Sequence, residues 1–250
     1  MNNLIENIKY FIHYCLDGKK RRFKIDNFLK RFFNSKRKKL IIQVGGNDGI
    51  NSDPLRKYFK KKGNYRAIII EPLDYYFKSL KKLYRGRSDI MIKKFAISNN
   101  RKKQNIYFID PSIATKLNGD GPKNNWAHGQ GSFDKRIVKY WIIKNSFRGK
   151  DYRNNIPLYI NSIKKNTIIT KKLSDFVFTK NLETLLVIDV QGFELEVIES
   201  MNWSNSPKYI IYEDDIKLFK FKSNKIRKIL KDNNYKYIGG KYDKLFSKEN

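Results

Sequence analysis

Cysteine is nearly absent from this 250-residue chain, where Cys15 stands alone. No intramolecular disulfide can form, and a zinc site built on thiolates is excluded. Histidine is almost as scarce: His13 and His128 are the full complement, which excludes a multi-histidine metal centre. Long apolar runs are missing too, and none approaches the roughly 20 residues of a membrane-spanning helix. The first residues lack the pattern of a signal peptide, because Lys9 is the only base before residue 19 and Lys9 and His13 break the apolar stretch. The expectation is a cytoplasmic, reduced protein. Acids are also in short supply: 24 Asp and Glu face 54 Lys and Arg, a formal net charge of +30.

A surplus of that size attracts anions, whether nucleic acid, an acidic membrane, or a phosphorylated or acidic substrate. A second account is open as well. Lys, Asn and Ile are all abundant, as an A/T-rich coding sequence produces. A disordered basic tail is excluded for the whole chain, since 40% hydrophobic and 14% aromatic residues supply a core. The length suits one large domain, or one domain with a small appendage. Residues 1–38 hold eleven Lys and Arg against three acids, a local surplus of +8. Leu4, Ile8, Phe11 and Cys15 recur at helical spacing up to Asp17-Gly18. A second amphipathic run carries Phe23, Ile25, Phe28, Leu29, Phe32 and Phe33. This basic helical extension is either a hairpin packed on the main domain or a segment lying on an anionic membrane surface. The second reading places the protein peripherally at the inner face of a membrane.

From residue 39 the texture changes. Leu40–Val44 is a short apolar run stopping at Gly45-Gly46, as a buried parallel strand does. Ala67–Ile70 ends at Glu71-Pro72, residues 90–97 make a third strand, Leu185–Ile188 ends at Asp189, and Tyr209–Tyr212 ends at Glu213-Asp214-Asp215. Helical patterns at 53–62, 73–84, 192–200 and 223–233 alternate with these runs. The alternation predicts a mostly parallel sheet covered on both faces, closed by an antiparallel hairpin at 235–239 and 243–247. Residues 104–172 break the rhythm with turn formers, and only Ile106–Ile109 and Thr167–Lys172 read as strands. This segment is expected to be an insertion over the active face of a domain spanning 39–250.

Ligands of open α/β sheets sit outside the carboxyl ends of the strands. Each end here carries a polar signal. Gly45-Gly46-Asn47-Asp48-Gly49 allows a sharp turn and close approach to a ligand, although it matches neither the dinucleotide fingerprint nor a phosphate loop. Glu71 can accept hydrogen bonds from a ribose diol, or simply cap the next helix. Asp189 is placed as a catalytic or metal-binding carboxylate, or as a helix N-cap with Glu194 in the first turn. Glu213-Asp214-Asp215 can hold a divalent ion with Asp189, orient a hydroxyl, or form a plain acidic loop. His128, between glycine-rich turns of the insertion, can carry a proton into the site or remain a loop histidine.

Several pieces recur together in this order: Ile42-Gln43-Val44-Gly45-Gly46-Asn47-Asp48-Gly49, Ile70-Glu71-Pro72, Phe95-Ala96-Ile97, Gly131-Ser132-Phe133, Thr170–Asp175, and above all Val187–Ile198 with Asp189-Val190-Gln191-Gly192-Phe193-Glu194 at its centre. With them the chain resembles the FkbM family of S-adenosylmethionine-dependent methyltransferases over roughly residues 39–250. Gln43 and Asn47-Asp48-Gly49 followed by Asp53-Pro54 look like a subgroup variant. The family usually has Gly-Ala at Gly45-Gly46, and Glu in place of the neutral Gln191, which is assigned no base chemistry. Residues 1–38 lie outside the resemblance.

The resemblance implies an α/β, Rossmann-like class I methyltransferase fold and O-methylation of a hydroxyl on a sugar, a surface glycan (nucleotide- or lipid-linked forms included) or a secondary metabolite. It implies S-adenosylmethionine held by Gly45, Gly46, Asn47, Asp48 and Gly49, with Glu71 and Pro72 at the ribose and Ala96, Ile97 and Ser98 at the adenine. Asp189 is then the base or, with Glu213, the ligand of Mg2+ or another divalent cation; Glu213 and His128 are further candidates for proton removal. An alcohol is poorly matched to a lone carboxylate base, and a metal or His128 would mend the mismatch. A nucleic-acid methyltransferase is the alternative suited to +30 and many Tyr and Phe. Against it, no Asn-Pro-Pro-Tyr or Asp-Pro-Pro-Tyr tetrapeptide and no RNA-binding motif is present. A scaffold without catalysis is the remaining reading.

Overall fold

A computed structural model gives the fold over residues 25–51, 53–118, 127–146, 154–176, 178, 181–214, 220–240 and 242–249. The helix expected at 3–16, the turn at 119–122 and Asp215 lie outside the described residues.

Five apolar runs form the parallel strands β1 (Lys39–Val44), β2 (Tyr65–Ile70), β3 (Ile90–Lys93), β8 (Glu183–Ile188) and β9 (Tyr209–Glu213). The last two strands, β10 (Tyr235–Gly239) and β11 (Asp243–Lys248), make the antiparallel hairpin. Together they form one seven-stranded sheet in the order β10-β11-β9-β8-β1-β2-β3. The fold is α/β, a mostly parallel sheet closed by an antiparallel hairpin, as the sequence predicts. Strand β1 lies centrally between β2 and β8, so its residues are covered on both faces and read as a continuous apolar run.

Alternation sorts each strand onto two cores. Ile42, Val44, Leu186, Ile188 and Ile210 pack toward the helices at Glu194–Glu199 and Lys220–Asp232, represented by Leu195, Ile198, Ile226 and Leu230. Ile41, Ile69, Leu185, Val187 and Ile211 pack on the opposite face, against Phe59 and Leu80 from the helices Arg56–Phe59 and Asp74–Leu83. A helix over 25–34 covers that second face through Ile25, Leu29 and Phe32. The second amphipathic run therefore belongs to the core. Lys39, though a lysine, is buried because its Nζ donates to the carbonyls of Ser35 (2.6 Å) and Arg37 (2.7 Å), tying the end of that helix to β1.

Two expectations are corrected. Residues 90–97 are not one strand: the chain leaves the main sheet after Lys93, and β4 (Ala96–Ile97) pairs instead with β7 (Ile163–Lys171). The segment 104–172 is not a largely irregular insertion either. Strand β5 (Lys103–Ile109) runs antiparallel to β7 and to the short β6 (Gly131–Ser132), giving a second, four-stranded sheet. Helices at Pro111–Asn118, Lys135–Ser146 and Ile156–Asn161 accompany it, with Ala114, Val138, Ile142 and Tyr159 around Ile109 as their own core.

Candidate active site

Strand register assembles the site. Val44 lies between Ile70 and Ile188, and Ile188 lies beside Tyr212. The next residue on each strand path therefore emerges at one level: Gly45, Glu71, Asp189 and Glu213. Backbone ladders end here, and polar side chains find room that the core denies them.

Gly45 has φ +87°, and a Cβ there would overlap the Asp189 carbonyl. Two strand-end turns thus pass backbone to backbone, which a side chain would prevent. Asn47 is also left-handed at φ +46°, and its N–H donates to Glu71 Oε2 at 2.9 Å. The Leu73 N–H donates to Glu71 Oε1 at 2.8 Å. Burial pushes Glu71 up to about 8, against the pull of these amides. Asp48 braces the turn by accepting from the N–H groups of Ile50 and Asn51 at 2.8 and 2.9 Å. Ala96, Ile97 and Ser98 are all buried where the chain crosses between the sheets, and Ser98 N–H donates to the Lys171 carbonyl at 2.9 Å.

Asp189 and Glu213 are brought together by a residue that was assigned no chemistry. Gln191 Nε2 donates to Asp189 Oδ1 at 2.8 Å and to Glu213 Oε2 at 3.1 Å. It does so from a left-handed backbone, φ +52°, with Gly192 at φ +93° behind it. Asp189 is exposed to solvent at the end of β8, with protein closely packed around it. The surrounding protein raises its pKa; the hydrogen bonds with Gln191 and Glu213 oppose the rise. Asp189 is not a helix N-cap, because the helix begins only at Glu194. The Glu194 carboxylate instead folds back to accept the N–H groups of Val190 (3.2 Å) and Gly192 (3.1 Å), and burial pushes it up to about 7.

The acidic run after β9 does not act as one cluster. Glu213 joins Asp189, whereas Asp214 accepts from Ser223 Oγ and Arg227 Nη2, both at 2.9 Å. Among the described residues no three His, Cys, Asp or Glu gather as metal ligands, so the cation site expected on Asp189 and Glu213 has two carboxylates and no third.

The segment 128–133 crosses the site. Gly129 N–H donates to Tyr76 Oη at 2.7 Å, and a Cβ on Gly129 would run into the Asn47 side chain. Ser132 Oγ donates to the Gln191 carbonyl at 3.0 Å, and Phe133 meets Phe193 edge to face at 4.8 Å. His128 is held at the glycine-loop end, its Nε2 at 3.2 Å from Thr115 Oγ1 and its ring 6.4 Å from that of Tyr76. Burial lowers its pKa, with Asp48 opposing.

Two residues were passed over as mere subgroup markers. Gln43 Nε2 donates to Asp53 Oδ1 at 3.3 Å, and burial pushes Asp53 up to about 6. The available signal was a glutamine inside the apolar run of β1. Gln43 Oε1, Asp53 Oδ2, Asn47 Oδ1 and Gln191 Oε1 are all buried and meet no hydrogen-bond partner among the described residues.

The family model for the methyltransferase FkbM domain matches residues 43–237. The chain belongs to the FkbM methyltransferase family. It is accordingly an S-adenosylmethionine-dependent methyltransferase. A search of curated proteins finds no match. Among solved structures, precorrin-6y C5,15-methyltransferase from Geobacter metallireducens GS-15 is similar at 8% identity, covering 90% of this chain and 88% of that one, with a TM-score of 0.44. The ribosomal protein L11 methylase from Lactobacillus delbrueckii subsp. bulgaricus follows at 11% identity, 92% and 79% coverage and a TM-score of 0.37. Human methyltransferase 10 domain containing protein is 8% identical over 90% and 80% of the two chains, with a TM-score of 0.40.

The site of this FkbM methyltransferase fits the cofactor. S-adenosylmethionine carries an ammonium and a ribose diol, and unpartnered acceptors at Gln43, Asn47 and Asp53 border the glycine loop. Glu71 has one lone pair on each oxygen beyond those used by Asn47 and Leu73.

Proposed function

We propose that this FkbM methyltransferase O-methylates a hydroxyl of a sugar or surface glycan, nucleotide- or lipid-linked forms included. The observation that carries the reading is the Asp189–Gln191–Glu213 arrangement at the strand ends. A hydroxyl acceptor must lose its proton as the new C–O bond forms. Two carboxylates in contact share one proton, and the ionised member of the pair takes the proton from the acceptor. A base whose pKa is raised is better matched to an alcohol than an ordinary aspartate is. Bound S-adenosylmethionine supplies an activated methyl group. Glu71 holds the ribose hydroxyls, the 45–49 loop accommodates the methionine end, and Ala96, Ile97 and Ser98 border the adenine. Phe133 and Phe193 offer an apolar wall beside the carboxylate pair.

Turnover of Asp189→Asn on a panel of sugar acceptors tests the base. The expected result is a loss of roughly 10²–10⁴-fold with S-adenosylhomocysteine affinity preserved; full turnover removes Asp189 from the chemistry. A chelator is expected to leave the wild-type rate unchanged, and loss of turnover on chelation would return the pair to a metal-ligand role. Calorimetry with S-adenosylhomocysteine on Glu71→Ala tests the ribose contact, where unchanged affinity would remove it.

A further inference from the structure

Strand β1 carries a glutamine at a covered position where its neighbours are apolar. Gln43 lies in register between Ile69 of β2 and Val187 of β8, and it is buried. A buried amide is costly unless its hydrogen bonds are made. Its Nε2 donates to Asp53 Oδ1 at 3.3 Å, and the same carboxylate oxygen accepts the Leu55 N–H at 2.8 Å. Gln43 Oε1 and Asp53 Oδ2 are both buried and accept no hydrogen bond among the described residues. Asp53 as a whole is only half-buried, so it is not sealed in the core.

The surroundings of this pair are largely negative. Asp48 of the glycine loop and Asp189 at the end of β8 both raise the Asp53 pKa by repulsion, on top of burial. From the helical side come the Tyr84 hydroxyl, which feels the Asp53 charge, and Arg56, which neighbours that hydroxyl. Fastening the turn before the Arg56–Phe59 helix accounts for Asp53 Oδ1, which already takes Leu55. It leaves Oδ2 and Gln43 Oε1 without purpose. Two buried acceptors without donors, among repelling carboxylates, suit a donor that is itself positively charged.

We propose that Asp53 Oδ2 and Gln43 Oε1 hold the ammonium at the amino-acid end of S-adenosylmethionine. An ammonium has several donors on one atom and can serve both oxygens. The placement rests on the cofactor reading above. With Glu71 at the ribose on the end of β2, the methionine end lies over the adjacent strand β1, whose glycine loop begins two residues after Gln43. The sulfonium is also cationic, but its methyl must meet the acceptor beside Asp189, so it belongs at the reaction centre rather than at Asp53. An ammonium pairs with the ionised form of Asp53, and protons therefore compete with the cofactor.

The test is calorimetry on the full chain with S-adenosylhomocysteine and with methylthioadenosine, which keeps the adenosine and the thioether but lacks the amino-acid end. Neither compound is a sulfonium, so the comparison isolates the amino-acid end. Asp53→Asn keeps an oxygen for the Leu55 N–H. It should weaken S-adenosylhomocysteine at least about tenfold. Methylthioadenosine affinity should stay constant, which also shows that the variant is folded. A second measurement needs no variant. Asp53, pushed up to about 6, is ionised at pH 7 and mostly protonated at pH 5. Wild-type affinity for S-adenosylhomocysteine should therefore fall about tenfold more than that for methylthioadenosine between those two values, and Asp53→Asn should abolish the difference. The proposal is overturned if Asp53→Asn leaves S-adenosylhomocysteine affinity unchanged, if it weakens both compounds alike, or if the two compounds share one pH dependence in the wild type. Glu71→Ala separates the ribose contact, because both compounds carry the ribose. If that change weakens neither compound while Asp53→Asn weakens S-adenosylhomocysteine alone, the ribose contact is removed and the ammonium site stands.

Discussion

Gln191 has two donors on one nitrogen, and each goes to a different carboxylate. Donation to a carboxylate favours its charged form, so Gln191 holds the Asp189 pKa down against the surrounding protein. Gln191→Ala should therefore raise it, and the acidic limb of the kcat/KM profile should move to higher pH. An unmoved limb would mean that the pair does not act as the base. Glu194 yields a second pH effect of known sign. Its folded pKa of about 7 lies above the ordinary glutamate value of 4.5. Its contribution is therefore fully present below about pH 4.5 and is lost as pH rises through about 7, a change of about 3 kcal/mol. Glu194→Gln keeps an oxygen for the Val190 and Gly192 N–H groups and removes the titration. Denaturant unfolding at pH 5 and pH 8 should show the wild type losing about that much more stability than the variant. Glu71 and Asp189 were legible in the sequence because an acid closing an apolar run is visible at once. The role of Gln191 was not, because it depends on a left-handed backbone and on Glu213, which lies on another strand.

Strands with both faces covered announce themselves, and those of the main sheet did. Of the second sheet only the pieces at 106–109 and 167–172 did, on β5 and β7, and the rest was hidden for a physical reason. Strand β7 buries little more than Ile168 and Thr170, and its Lys164-Lys165-Asn166 stretch is exposed, so it has the composition of a loop. Its partner β5 pairs with it from Lys103↔Ile169 to Ile109↔Ile163, across an excursion of more than fifty residues that no local pattern reveals. The 25–34 helix shows the opposite case. Its apolar spacing was plain, but periodicity alone could not distinguish a core-facing stripe from a membrane-facing one. Packing decides it: Leu29 is fully buried among Ile25, Phe32, Ile41 and Leu185. Leu29→Ala should cost about 2–5 kcal/mol by the denaturation midpoint. A cost well below 1 kcal/mol would mean that the helix merely rests on the sheet.

Across the molecule the two signs of charge are partitioned. Glu71, Asp189, Glu194 and Glu213 stand together at the strand ends of a chain with a net charge of +30, so the cationic excess must lie outside the reaction centre. The ionised member of the Asp189–Glu213 pair suits a cationic cofactor, because opposite charges attract most strongly where protein excludes water. The N-terminal surplus has a more exact location than its sequence suggests. Half of the +8 in residues 1–38, or +4, belongs to 25–38, which the structure ties to the sheet through Leu29, Phe32 and Lys39. The other +4 lies on residues 1–24, outside the described residues. A chain shortened to begin at Lys39 would uncover the face of Ile41 and Leu185 and is expected to unfold at lower denaturant, so its loss of any binding would report damage. A chain beginning at Lys24 keeps the 25–34 helix and should retain both wild-type stability and S-adenosylhomocysteine affinity. If 1–24 docks on an anionic membrane, that shorter chain loses sedimentation with phosphatidylserine vesicles at low salt while the full chain keeps it. Equal sedimentation of the two would assign the attraction to the basic surface of the folded domain.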